Sequence, residues 1–142
     1  MALRWCKGKT LIKHLPRTAS VTFTAGDLVM LTSGLVATAT AQSTKHLGII
    51  LESVTSGDAD FATSAVKVAV EVPAEVTAEF EADVTGTLLT TSLGVQYDMS
   101  TAGLVNKAGT TYKVVTCTGF ISATKGRFTL NSNMQYADAS WE

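Results

Sequence analysis

The chain is predicted to be all-β: a small barrel or sandwich of short antiparallel strands, built as two related halves and preceded by an extended N-terminal arm. Three observations predict this. Apolar and polar residues alternate over short runs such as "AVKVAVEV", which is the period of a half-buried strand. The runs are separated by Gly-, Ser-, Thr- and Asp-containing turns, spaced as hairpins require. The chain also repeats itself, "SGLVATA" at 33–39 returning as "AGLVNKA" at 102–108.

With 142 residues, one compact domain is expected, burying roughly 68% of the surface its unfolded chain would expose. Such a core needs no metal or disulfide staple. Cys6 and Cys117 are too few for a disulfide framework and lack metal-ligand spacing, so cytosolic assembly is the simpler expectation. No apolar run approaches the ~20 residues of a membrane span, and "LRWCKGKTLIKHLP" lacks the apolar centre of a signal peptide. The net charge of −1 gives nucleic acid no overall attraction. Its distribution says more: Arg4, Lys7, Lys9, Lys13 and Arg17 precede every acid in the chain. A positive arm is followed by an acidic body.

The arm is read as residues 1–19, where Gly8 and Pro16 break both helical and strand patterns. Trp5, Leu11, Ile12 and Leu15 give it apolar groups able to anchor it to another surface. The β domain is read as 20–131. "SVTFT", "LVML" and "LVATA" form a hairpin-like series, and "HLGIILESV" is a strand in which Gly48 marks a bulge or a close approach. After the polar loop "TSGDADFATS", Val66, Val68, Val70 and Val72 share one strand face, with Lys67 and Glu71 on the other. Pro73 ends that strand.

Residues 75–84 alternate again, with Val76, Ala78, Phe80, Ala82 and Val84 inward and Glu75, Thr77, Glu79, Glu81 and Asp83 outward. A helix is the rival here, because Val76, Phe80 and Val84 also recur at helical spacing among good helix formers. "VQYDM", "LVNKA", "YKVVTCTGFIS" and a final hairpin "ATKGRFTLN" complete the body. The tail, 132–142, has no core pattern and ends near Trp141, an aromatic that wants a partner surface.

The halves share an order of features: Gly34 matches Gly103, and Gly48 is matched to Gly119, each followed by an apolar pair. At this level "AGDLVMLTSGLV", "LGIILESVTSG", "VKVAVEV" and "LGVQYDMSTAGLVNKAGTTYKVV" resemble the head decoration (cement) proteins of tailed bacteriophages, whose body is a β-tulip. The resemblance covers about residues 20–131. It implies a homotrimer on the outer surface of an HK97-fold capsid, bound to the major capsid protein at three-fold positions and stabilising the shell against internal DNA pressure. It also implies synthesis in the host cytoplasm and an N-terminal segment running along the shell. Here that segment offers Arg4, Trp5, Lys7, Lys9, Leu11, Lys13 and Arg17 as capsid-binding residues, and its removal is expected to leave a folded trimer that no longer coats heads.

Catalytic chemistry finds little support in these residues, and no cofactor is expected. His14 lies in the arm, and His46 reads as a solvated strand end beside Lys45. Asp58 and Asp60 lack the further donors and closing acid of a Ca²⁺ loop, and the glycines are spaced as hairpin turns rather than as a phosphate loop. Two readings stand for the acidic row Glu75, Glu79, Glu81 and Asp83: a wet face that discourages promiscuous strand pairing, or an inter-subunit face that receives basic residues. A tail or fibre-base module is the alternative among virion proteins, and a small ligand-binding β-barrel the alternative from another class.

Overall fold

The structure is a computed structural model and describes residues 3–39, 46–75, 77–101 and 103–131. Eleven strands are named in chain order: β1 Arg4–Lys7, β2 Thr10–Pro16, β3 Leu28–Thr32, β4 Leu35–Thr38, β5 Gly48–Ile50, β6 Lys67–Pro73, β7 Glu79–Thr85, β8 Gln96–Thr101, β9 Leu104–Asn106, β10 Val115–Ser122 and β11 Lys125–Leu130. Among the described residues a 3-10 turn, Thr90–Ser92, precedes β8. The fold is all-β, and the strands divide into two lobes.

The lobes repeat one another in topology. Strands β2 to β6 lie in the order β2-β6-β5-β3-β4, and β7 to β11 in the order β7-β11-β10-β8-β9, which is the same permutation. In the second lobe β9 returns parallel to β7 through Asp83↔Leu104, Val84↔Val105 and Thr85↔Asn106, closing a five-stranded barrel. The first lobe is an open antiparallel sheet whose two edges meet at one parallel bridge, Arg17↔Val36.

Ladder pairs answer one another residue by residue. Pro16↔Lys67 corresponds to Asp83↔Lys125, Leu31↔Val36 to Met99↔Val105, and Ile49↔Glu71 to Thr116↔Thr129. Gly34 and Gly103 therefore match as expected, each between paired residues, Thr32↔Leu35 and Thr101↔Leu104. The match of Gly48 with Gly119 does not hold. Val29↔Gly48 corresponds to Tyr97↔Val115, so Gly48 answers Val115. Gly48 is required for another reason: a Cβ there would overlap the Glu71 carbonyl oxygen of the neighbouring strand.

Alternation decides which residues reach the cores. Val68, Val70 and Val72 of β6 pack with Val29, Val36, Leu47 and Ile50, capped by Phe23 and Val54. Ala82 and Val84 of β7 fill the barrel with Phe80, Phe128, Met99 and Val105. Leu28 and Ile49, on the opposite face of the first sheet, belong to this second cluster together with Leu3, so the two lobes are welded by apolar contact. Of "SVTFT", only Phe23 enters the ladder, paired with Val54. Strand, not helix, is correct for the end of the 74–84 stretch, but β7 begins at Glu79, and Ala74, Glu75 and Thr77 belong to the connection before it. Val76, Trp141 and the tail 132–142 lie outside the described residues.

The largest departure from expectation is at the N-terminus. Residues 4–16 are not a free arm; they are two edge strands of the body. β1 pairs with β7 through Trp5↔Phe80, and β2 pairs with β6 over its whole length, from Thr10↔Pro73 to Pro16↔Lys67. Gly8 makes the corner between them with φ +85°, and a Cβ there would come within 2.7 Å of the Ala78 backbone. Pairing explains the change: partners more than fifty positions away leave no local pattern to read.

Candidate functional site

The seven residues assigned to the arm separate by environment. Trp5 is half-buried between the lobes, its indole N–H donating to the Glu71 carbonyl at 2.9 Å and its ring meeting Phe80 edge-on with centroids 5.5 Å apart. Arg17 is 1% exposed. Its guanidinium donates to the carbonyls of Asp60 (2.8 Å) and Phe61 (3.2 Å) and lies 3.5 Å from the Asp60 carboxylate. Arg17 is held inside this chain and offers no surface to a capsid, while Trp5 is half-buried with its N–H and ring engaged by this chain's own core.

Lys7, Lys9 and Leu11 remain exposed, and Lys13 is half-buried beside them. They lie on or before β2, the edge of the first sheet. The Lys9 carbonyl accepts from Ala74 N–H and Arg17 N–H donates to the Val66 carbonyl. Antiparallel alternation then turns the N–H and C=O groups of Thr10, Ile12 and His14 away from β6. Leu11 and Ile12, on opposite faces of this edge, are 48% and 58% exposed. The result is a strand edge that is apolar on both faces, flanked by lysines. Ile12, rather than Leu11, is its most exposed apolar residue.

In the acidic row, Glu81 is met by cations of the same chain. Glu81 takes Arg4 at 2.9 Å and Arg127 at 3.7 Å, one on each neighbouring strand. Glu79 and Asp83 stand on the same half-buried face of β7. Glu75 is not in that row; its carboxylate accepts the Lys9 backbone N–H at 3.1 Å, closing the turn before β7.

Between the lobes, under β1, Leu3, Trp5, Gly26, Ile49, Leu51 and Glu71 line an apolar cavity of about 270 Å³. Its walls offer no cluster of titratable groups. Among the described residues no group of three His, Cys, Asp or Glu side chains converges as a metal site. Asp58 is engaged in its own turn, accepting from the backbone N–H and hydroxyl of Thr55, both at 3.1 Å. His46 is buried rather than solvated, next to Leu47, whose N–H donates to the Val29 carbonyl and whose side chain belongs to the first lobe's core. Burial pushes both thiols up from their ordinary pKa, Cys117 against a backbone hydrogen bond with Gly119 and Cys6 despite the nearby Arg127. Neither is an activated nucleophile.

Sequence reading also missed two features. Asp98 is buried and accepts from the backbone N–H groups of Thr111, Tyr112 and Lys113, fixing the loop before β10. Leu89, Leu93, Val95, Phe120 and Ile121 are exposed on the second lobe; the signal for them is two chain stretches without any Asp, Glu, Lys or Arg, 84–97 and 114–124. No protein-family model matches the chain, and no curated protein matches it.

Proposed function

We propose that this protein is a decoration protein of a tailed-phage head, with the two lobes as its β-tulip-like body. In this reading it sits on the outer surface of an HK97-fold shell as a homotrimer, contacts the major capsid protein, and stabilises the mature head against internal DNA pressure. The observation that carries it is the outer edge of β2, which no strand among the described residues pairs with, and where Leu11 and Ile12 stand exposed near Lys7, Lys9 and Lys13. An edge of this kind suits backbone pairing with an extended segment, apolar side chains adding affinity and lysines steering the approach. Three linked copies make the second and third contacts effectively intramolecular, so modest contacts give durable binding. Because the assembled shell binds and free capsid subunits do not, binding stabilises the shell by mass action.

Quantitative mass spectrometry of purified particles tests the reading. Copies in a simple fixed ratio to the most abundant shell protein are expected, and Ile12→Glu is expected to lose occupancy on heads while remaining folded. A handful of copies per particle assigns the protein instead to the tail or fibre base. The apolar cavity under β1 favours a second reading, a small β-barrel module that holds an apolar ligand. Absence from particles together with a stoichiometric small molecule in native mass spectra establishes that reading and overturns the first.

A further inference from the structure

Among the described residues the second lobe carries an apolar strip of its own. Leu89 and Leu93 are each 50% exposed, Val95 38%, Phe120 39% and Ile121 42%. Backbone bonds hold them together: Leu88 N–H donates to the Ala123 carbonyl, Gly94 N–H to that of Cys117, and Cys117 N–H to that of Val95. Residues 88–95 therefore run beside 117–123, which puts the five exposed residues on neighbouring segments. The scaffold is fixed rather than loose. Leu88 and Ser92 are buried, and the Ser92 hydroxyl accepts the Leu89 N–H at 3.2 Å across the 3-10 turn. Register shifts in β10 leave Thr118 and Ile121 as extra residues, the kind of bulge that re-aims side chains out of a sheet.

The duplication supplies an internal comparison. Ile50↔Val70 answers Cys117↔Phe128, and with the two extra residues of β10 set aside Val54 answers Ala123, while Ile121 has no counterpart in the first lobe. In the first lobe Phe23 pairs with Val54 in both directions, at 2.9 Å each, and both are buried. In the second lobe Leu88 takes that place: its N–H donates to the Ala123 carbonyl at 2.8 Å and its side chain is buried like that of Phe23. Each lobe thus covers this spot, and the second adds the extra residue Ile121 beside Phe120 at its surface.

No Asp, Glu, Lys or Arg occurs in 84–97 or 114–124. Lys125 and Arg127 stand at the rim, opposite Ser122 and Gly119 on the next strand, and Arg127 faces Glu81. A partner rich in charge would find no counter-charge within the strip. A copy of this chain meets it without like-charge repulsion, as a surface brought near its own symmetry mates must allow. The five side chains leave roughly 400 Å² exposed, the size at which a monomer's largest apolar patch is often functional. That is about half of the ~800 Å² per partner of a standard interface, and suits its dry centre.

We propose that this strip is the surface through which copies of this chain associate with one another. The assignment rests on the self-association in the reading above and not on its capsid partner. Sedimentation velocity of the full chain over a concentration series, free of any particle, tests it. Wild type is expected to be oligomeric, and Leu93→Glu and Phe120→Asp to be monomeric at concentrations at least 10-fold above the wild-type midpoint, with unchanged circular dichroism and one cooperative unfolding transition. Ile12→Glu, at the β2 edge, is expected to keep the wild-type oligomer even where it loses heads. A wild type that stays monomeric throughout overturns the proposal, as does an oligomer that survives both strip variants. Loss of head binding by a monomeric wild type on Phe120→Asp assigns the strip to the shell instead and also overturns it. Should either strip variant misfold, Leu93→Ser and Leu89→Ser, which replace exposed side chains on the turn, decide the matter by the same measurement.

Discussion

Replacing Trp5 by alanine asks whether the N-terminal strand is part of the body. Removing a fully buried aromatic costs about 3–5 kcal/mol, and the half-buried indole is expected to account for about half, ~2 kcal/mol. The edge-to-face contact with Phe80 adds about 0.5–1.5 kcal/mol, and the Glu71 carbonyl left without its donor about 0.5–1.5 kcal/mol. These overlap, because removing the ring admits water to that carbonyl, so Trp5→Ala is expected to lose about 3 kcal/mol. Trp5→Phe keeps a ring against Phe80 but not the N–H, and is expected to lose about 1 kcal/mol. Equilibrium urea unfolding reads both, with an unchanged slope marking a change in stability alone. A loss below about 0.5 kcal/mol for Trp5→Ala, with proteolysis removing residues 1–9 from an otherwise intact body, refutes the placement of β1.

Three more outcomes follow from the geometry. Arg17→Ala is expected to lose about 3 kcal/mol in the same assay, because the Asp60 and Phe61 carbonyls lose buried donors, whereas Asp60→Asn, at an exposed side chain, loses less than about 1 kcal/mol; equal losses would show that the ion pair dominates. Gly48→Ala is expected to prevent soluble folding, read by expression and circular dichroism, while Gly34→Ala costs only about 1 kcal/mol, since its Cβ meets open space and only the φ of +80° is strained. Burial raises the pKa of Asp27 against its bond to the Thr24 backbone, so its folded value exceeds its unfolded one and native Asp27 holds its proton longer. Its contribution to stability is then lost as pH rises between the two values. Asp27→Asn is expected to compare more favourably with wild type at pH 7 than at pH 3, and the opposite ordering of urea midpoints contradicts the burial argument.

Local pattern made much of the body legible. The valines of β6 and the Phe80, Ala82 and Val84 of β7 declared their faces by alternation, and the repeated Gly-Leu-Val after a turn marked two hairpins that the ladders superpose. The rest was illegible where the deciding partner is distant. β2 is an edge strand exposed on both faces, so Leu11 and Ile12 give no alternation, and its partner lies beyond β5. Arg17 reads as one more basic residue because the carbonyls that bury it belong to Asp60 and Phe61. Gly48 and Gly119 share an apolar pair after a glycine, yet only Gly48 is pressed against a neighbouring backbone. Of the candidate surfaces, the lysines of β2 were visible as charge, whereas the strip on the second lobe was visible only as a lack of it.

The N-terminal strands also set an order of events during synthesis. Leu11 pairs with Val72 and Trp5 with Phe80, so each of these early strands waits for one made much later. At synthesis rates of roughly 5–20 residues per second, β2 stays unpaired for seconds, and β1 longer still, because β7 must emerge behind it. The first lobe can close once Pro73 has cleared the ribosome. Arg4–Lys7 then settles onto a strand whose other neighbour, β11, is made last of all, and until it does, Leu3 and Trp5 are open to whatever they meet. The residues that weld the finished molecule are therefore its most exposed ones while it is being born, which makes this segment the place where a nascent chain is most in need of a chaperone.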